Sequence, residues 1–200
     1  MTNLAIAILG STKGTDMQAI IDAIERKELD AEIVLAASDR QDAYILERAK
    51  KHGIETLAVD YKKFPRREDA ERTIVAKLRE KNAQLIILIG FMRILSPTFV
   101  GEFRGRLWNI HPSLLPKYGG RMSLDVHAEV LRNHDTLTGC TLHEVTEEVD
   151  AGRVIMQKKC IVAPEHTPEG LKLKVQKLEQ ECILEAIKMV TEGKLSIGGH

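Results

Sequence analysis

Short apolar runs alternate with helical repeats along the first half of the chain. "LAIAIL" at residues 4–9 is uninterrupted and short, the pattern of a strand covered on both faces. "MQAIIDAIERK" at 17–27 then places its apolar residues at helical spacing. The alternation continues with a strand at 32–38, a helix at 42–53 closed by Gly53, a strand at 56–59, a helix at 67–81 and a strand at 84–90 ("QLIILIG"). "RLWNIH" at 106–111 reads as the next strand. The later half changes character. "GCTLHEV" at 139–145 and "RVIMQKKCIV" at 153–162 are strand-like and separated only by a loop, and a final helix covers 168–191 with Pro168 at its start.

This order predicts an α/β fold: a Rossmann-like, open, mainly parallel twisted sheet flanked by helices, with an antiparallel portion in the C-terminal half. No repeat, low-complexity stretch or linker interrupts it, so residues 1–200 read as a single domain. Ligands of open parallel sheets bind beyond the carboxyl ends of the strands. That rule places the loops at 10–16, 90–95, 111–120 and 146–152 on one rim.

Composition narrows the picture further. Hydrophobic residues make up 44% of the 200, enough for a sizeable core. The formal net charge of +0 gives no support for nucleic acid as a partner. Three cysteines without regular spacing argue against a disulfide framework and suit a reducing compartment. The first apolar run is too short for a signal segment, and no stretch approaches the roughly 20 apolar residues of a membrane span. A cytoplasmic protein with no membrane or nucleic-acid partner is expected; a homodimer is left open.

Two segments carry candidate chemistry. "GSTKGTD" at 10–16 joins a strand to a helix, where glycines let the backbone turn tightly and free amides favour an anion. Thr15 is placed to cap that helix. The loop matches neither the dinucleotide nor the P-loop fingerprint. In "WNIHPSLLPKYGG" at 108–120, Asn109 and His111 alternate and so share one strand face, and Pro112 and Pro116 restrain the chain beyond them. An imidazole moves protons near pH 7, and a neutral amide donates to a developing oxyanion, so the pair suits attack on a carbonyl. Asp150, in "EEVDAG", is the candidate carboxylate to orient the imidazole or relay its proton. Cys140 and His143 have C-x-x-H spacing, but strand positions three apart face opposite sides, and no second pair follows; no metal is expected.

"GFMRILSP" at 90–97, "NIHPSLLPKYGG" at 109–120 and "GCTLHEVTEEVDAG" at 139–152 together resemble the folate-dependent formyltransferases, and the resemblance runs over essentially the whole chain. It implies transfer of a formyl group from N10-formyltetrahydrofolate to the amine of glycinamide ribonucleotide in purine biosynthesis, through a tetrahedral intermediate. It places the catalytic Asn, His and Asp on Asn109, His111 and Asp150, and substrate contacts on Gly14, Thr15, Asp16, Gln176 and Glu179. The folate would lie against Met92, Arg93, Ile94, Leu95 and Asn109 and the loop of Thr146, Glu147, Glu148 and Val149, with Arg67 at its glutamate tail. The alternatives are another folate-dependent formyltransferase, a deformylase, or a noncatalytic folate or phosphate sensor. Three departures stand out. The family commonly carries Asn where this chain has Asp16. The segment 119–131 is shorter than its usual counterpart and lends no residue to the site. "SIGGH" at 196–200 reads as a frayed end.

Overall fold

A computed structural model describes residues 3–120, 123–163 and 165–198. The uninterrupted apolar runs take central positions because nothing in them needs water. β1 (Leu4–Leu9) and β4 (Leu85–Leu88) are buried at every residue, and β2 (Ala31–Ser38) is buried over its second half. With β3 (Thr56–Ala58), β5 (Leu107–His111), β6 (Leu137–Glu144) and β7 (Val154–Ile161) they form one seven-stranded sheet, ordered β3-β2-β1-β4-β5-β6-β7. The pairings from β3 through to β5 are parallel; β5–β6 and β6–β7 are antiparallel.

Alternating side chains feed two apolar layers. Ile6, Ile8, Leu85, Ile87, Trp108, Ile110, Cys140 and Leu142 face one side. There they meet apolar stripes on α1 (Thr15–Glu25), α2 (Tyr44–Lys51), α5 (Ser123–Arg132) and α6 (Pro168–Thr191). Ala7, Leu9, Leu35, Ile86, Leu88 and Leu107 face the other side, against α3 (Arg67–Glu80) and α4 (Pro97–Glu102). Within β5, Asn109 and His111 continue the row of Leu107 beyond the reach of that second helical layer. The sheet therefore offers polar side chains to a face that loops, not helices, cover.

Three elements and two details differ from the sequence reading. Residues 61–63 form a 3-10 turn whose start is capped by the Asp60 carboxylate. α4 is a six-residue helix started by the Ser96 hydroxyl and Pro97. The region after Gly120 is helical from Ser123 on, although Arg121 and Met122 lie outside the described residues. Thr15 is not the cap of α1. Gly14 occupies that position in a left-handed conformation (φ 65°), and a Cβ there would sit 2.4 Å from Ile45, so Thr15 becomes the first helical residue with its hydroxyl free for another partner. The tail is also not frayed as far as Gly198. Leu195 and Ile197 pack on the larger core, and the Gly198 amide donates to the Gly105 carbonyl at 3.2 Å; Gly199 and His200 lie outside the described residues.

The β5–β6–β7 ladder allows little extra volume. A Cβ on Gly139 of β6 would lie 1.9 Å from the Lys158 carbonyl oxygen and 2.9 Å from the Leu114 side chain. Relief requires the strand backbone itself to shift. Gly139→Ala is expected to destabilise the protein by about 2–4 kcal/mol, read as a lower urea midpoint; a midpoint unchanged from the parent would show that the ladder yields at this position.

Candidate active site

The antiparallel register of β5 and β6 sets the site. Asn109 lies opposite His143, and His111 opposite Thr141, so four polar side chains share one sheet face. Because β6 runs against β5, the loop after it leaves at the end of the sheet where β5 begins: the Val145 amide donates to the Leu107 carbonyl at 2.8 Å. The sequence reading put this loop on the same rim as the carboxyl ends of the parallel strands. Strand reversal places it elsewhere, and Asp150 reaches the histidines by folding back over the sheet face. It does so with φ 55°, a left-handed conformation uncommon for a non-glycine residue.

At the centre, the Asp150 carboxylate sits between two imidazoles. Oδ2 is 3.4 Å from His111 Nε2, and Oδ1 is 3.5 Å from His143 Nε2. Oδ2 also accepts the Gly120 backbone N–H at 2.7 Å. Burial raises the Asp150 carboxyl, but hydrogen bonding from His143 and Gly120 and the charges of both histidines outweigh it and hold the group below the ordinary aspartate range. It is therefore a carboxylate at neutral pH.

Hydrogen-bond direction assigns the ring nitrogens. The Ser113 hydroxyl donates to the Lys117 carbonyl at 2.6 Å, so its oxygen is left to accept from His111 Nδ1 at 3.0 Å. His111 Nε2 is then the nitrogen that gains or loses a proton, facing Asp150. His143 Nδ1 donates to the Glu144 carbonyl at 2.9 Å, so Nε2 faces both Asn109 Nδ2 at 3.1 Å and Asp150 Oδ1 at 3.5 Å: it accepts from Asn109 when the ring is neutral and donates to Asp150 when the ring is protonated. That bond orients the Asn109 amide and leaves its second N–H for an incoming oxygen. The residues 112–120 are pinned across the neighbouring strands: Thr141 Oγ1 donates to the Ser113 carbonyl and accepts from the Leu115 amide, and Gln157 Nε2 donates to the Leu115 carbonyl. Leu115–Pro116 is cis. Lys117 and Tyr118 anchor the far end of the loop on Asp135.

The other candidate residues fall into two groups around this centre. Met92, Ile94 and Val149 are apolar side chains left 40%, 66% and 50% exposed, which suits a ligand with a flat apolar surface. Leu95 is buried in the second core. The Arg93 side chain donates to Asp39 at 2.8 Å and stacks on the Tyr61 ring at 4.7 Å; Asp39 in turn accepts from Ser11 Oγ at 2.5 Å. Arg67 pairs with Glu68 at the start of α3, and its charge reaches Tyr61 as well. Thr146 Oγ1 donates to the Glu148 carbonyl, Glu147 pairs with Arg104, and Glu148 is exposed.

On the opposite side of the sheet, Gln176 of α6 donates to Thr15 Oγ1, and Asp16 is buried in the first turn of α1. The first-turn amides of a helix have no acceptor within it, so this end of α1 is suited to an anion. Cys140 and His143 point to opposite faces, Cys140 into the larger core and His143 to Asn109. Thr141, Gln157 and Gly120 were not singled out from sequence, since their roles arise from contacts 28 to 42 positions away along the chain; Ser113, which from sequence is a poor nucleophile candidate for want of a G-x-S-x-G elbow, instead holds His111 two positions before it.

Comparison with known proteins adds the chemistry that geometry leaves open. Residues 4–187 match the sequence model of a family described as formyl transferase. The phosphoribosylglycinamide formyltransferase of Escherichia coli (strain K12) is 38% identical over 192 residues, covering 96% of this chain and 89% of that one. The trifunctional purine biosynthetic protein adenosine-3 of Drosophila pseudoobscura pseudoobscura is 41% identical over 192 residues, but the chain spans only 14% of its length. It spans 19% of the corresponding protein of Gallus gallus. Among solved structures, the phosphoribosylglycinamide formyltransferase of Coxiella burnetii superposes with a TM-score of 0.91 at 41% identity, covering 98% of this chain and 90% of that one. Glycinamide ribonucleotide transformylase 1 of Symbiobacterium toebii gives 0.90 at 34% identity, with 98% and 91% covered.

Because the Asp150 carboxyl titrates lower in the folded protein than in the unfolded chain, its contribution to stability is complete above the unfolded value of about 4. It is lost as pH falls through the depressed folded value. The stability gap between the parent protein and Asp150→Asn is thus expected to be present at neutral pH, to grow as the two histidines take up protons, and to close only as pH falls below about 4, followed by urea unfolding at each pH. A gap that already closes above about pH 5 would contradict the depressed carboxyl.

Proposed function

Since the chain belongs to the formyl transferase family, we propose that it transfers the formyl group of N10-formyltetrahydrofolate to the amine of glycinamide ribonucleotide. The observation that carries this reading is the convergence of Asn109, His111 and Asp150, with Asp150 3.4 Å from His111 Nε2, inside a chain of that family.

The residues divide the reaction as follows. The substrate amine adds to the formyl carbon, and the carbonyl electrons move onto oxygen. The free Asn109 N–H and a protonated His111 Nε2 stabilise that oxyanion, which a neutral amide and an imidazolium do without covalent chemistry. Asp150 favours the imidazolium by its charge and accepts hydrogen bonds as the amine loses its proton. The proton passes to the folate nitrogen as its bond to the formyl carbon breaks, leaving a formamide and tetrahydrofolate. Ser113 holds the imidazole so that Nε2, not Nδ1, faces this exchange.

The rest of the site is assigned by fit. The exposed side chains of Met92, Ile94 and Val149 offer an apolar wall for the pterin, with Arg93, Leu95, Thr146, Glu147 and Glu148 in the flanking loops and Arg67 toward the glutamate tail. The start of α1, at Gly14, Thr15 and Asp16, takes the phosphate, and Gln176 and Glu179 of α6 stand beside it. A cytoplasmic location accords with the substrates; no helix among the described residues is long and apolar enough to cross a membrane.

The test is a spectroscopic assay with both substrates. Formyl transfer to glycinamide ribonucleotide is expected; turnover only with a different amine would overturn the substrate assignment. Replacement of His111 by Ala is expected to lower kcat by about 10²–10⁴-fold with a much smaller change in KM. A near-parental kcat would remove His111 from the chemistry. For Asn109→Ala the expected loss in kcat is about 10²–10³-fold, and a loss confined to KM would show that its amide binds the ground state and not the oxyanion.

A further inference from the structure

Asp16 is 6% exposed, and its Oδ1 has no hydrogen-bond partner. An unpaired buried carboxylate oxygen at a substrate-facing helix start is costly unless something relieves it. Three residues of α6 supply the surroundings. Gln176 and Gln180 lie four apart on one face; the first donates to Thr15 and the second hydrogen-bonds Asp16. Glu179, three positions after Gln176 and next to Gln180, brings a second carboxyl to the same place, where the Asp16 charge acts on it. The N-terminus of α1 favours one negative charge, not two close together.

We propose that Asp16 and Glu179 share a single proton, and that the protein binds a phosphate monoester together with that proton. The inference rests on the reading of the α1 start as the phosphate site. With the proton in place, the pair carries one negative charge, and Asp16 is as neutral as the Asn that the family commonly has there. Without it, two carboxylates confront each other and the incoming dianion.

The titration directions agree. Burial pushes Asp16 up to about 6, against the hydrogen bond from Gln180. Burial and the Asp16 charge push Glu179 well above the ordinary glutamate range, with Cys182 acting the same way and the Lys172 charge opposing. Cys182 leans on Cys140 of β6 and feels Lys158 of β7, and Lys172 also acts on His127 of α5. No one of these groups neutralises both carboxyls, so the proton is the remaining counter-charge. As pH rises through the ionisation of the pair, the free protein loses the proton, and binding must recapture it. Affinity then falls by up to about tenfold per pH unit.

Ribose 5-phosphate is the probe, since it has no amine, and above pH 7 its phosphate is already largely dianionic. Calorimetric titration of the full chain at pH 7, 8 and 9 is expected to show Kd rising about tenfold or more across the range. Asp16→Asn and Glu179→Gln are each expected to cut that rise to under about threefold. A flat profile in the parent protein, or an equal rise in both variants, overturns the proposal and leaves the phosphate site standing. No binding by the parent at pH 7 overturns the phosphate site itself. Should a variant fold poorly, carboxyl 13C NMR of the parent decides: both carboxyl signals move in each of two ionisation steps if the proton is shared, and each carboxyl titrates in one step of its own if it is not.

Discussion

Asn109 meets His143, and His111 meets Thr141, across the antiparallel β5–β6 ladder. A slip of one residue in that pairing would turn Trp108 and Ile110 to the loop face and carry the polar side chains into the helical layer. Trp108, 1% exposed in the larger core, makes such a slip prohibitive. The same reversal of strand direction sends the hairpin loop back across the sheet, which is how Asp150 arrives between two imidazoles. Register, core and site are thus one constraint seen from two faces of a sheet.

Much of the polar structure serves to hold a few groups still. His111 is 4% exposed and His143 2%, so each ring has its orientation set by a partner bonded elsewhere: Ser113 through the Lys117 carbonyl, and Glu144 through its own. Buried polar groups of this kind each contribute about 0.5–1.5 kcal/mol when paired and cost more when left alone. The loop after β4 is secured in the same way. Buried Glu71 accepts from both the amide and the hydroxyl of Ser96, and Ser11 bridges Asp39 to the Met92 amide. Exposed Met92 and Ile94 are therefore presented by an anchored backbone and not by a loose one. A pre-set apolar wall spares a ligand the entropy of ordering it.

The two candidate regions handle charge in opposite ways. Asp150 gathers donors until its carboxylate is favoured despite burial, which suits a group that must stay charged beside an imidazole. Burial disfavours the Asp16 charge against the hydrogen bond from Gln180, at the end of a helix where an anion belongs, and that charge in turn raises the Glu179 carboxyl. In the proposed function, the first arrangement serves proton exchange and the second limits repulsion of an anionic ligand.

The hydrophobic pattern by itself determined the strands from β1 to β7, the helices α1, α2, α3 and α6, and the parallel first half, because those signals are local and periodic. It also placed Asn109 and His111 on one strand face, since alternation is a property of any strand. The six residues of α4 are too few for a period to show, and α5 was not among the helices that the pattern marked out. The cap at Gly14 instead of Thr15 was decided by Ile45, a residue distant in sequence that leaves no room for a side chain. Which way the hairpin loop folds, which nitrogen of each histidine carries a proton, and which carboxyl meets Asp16 were decided only by tertiary structure. Each depends on partners brought together across strands and helices, and spacing along a chain carries no information about what will face what.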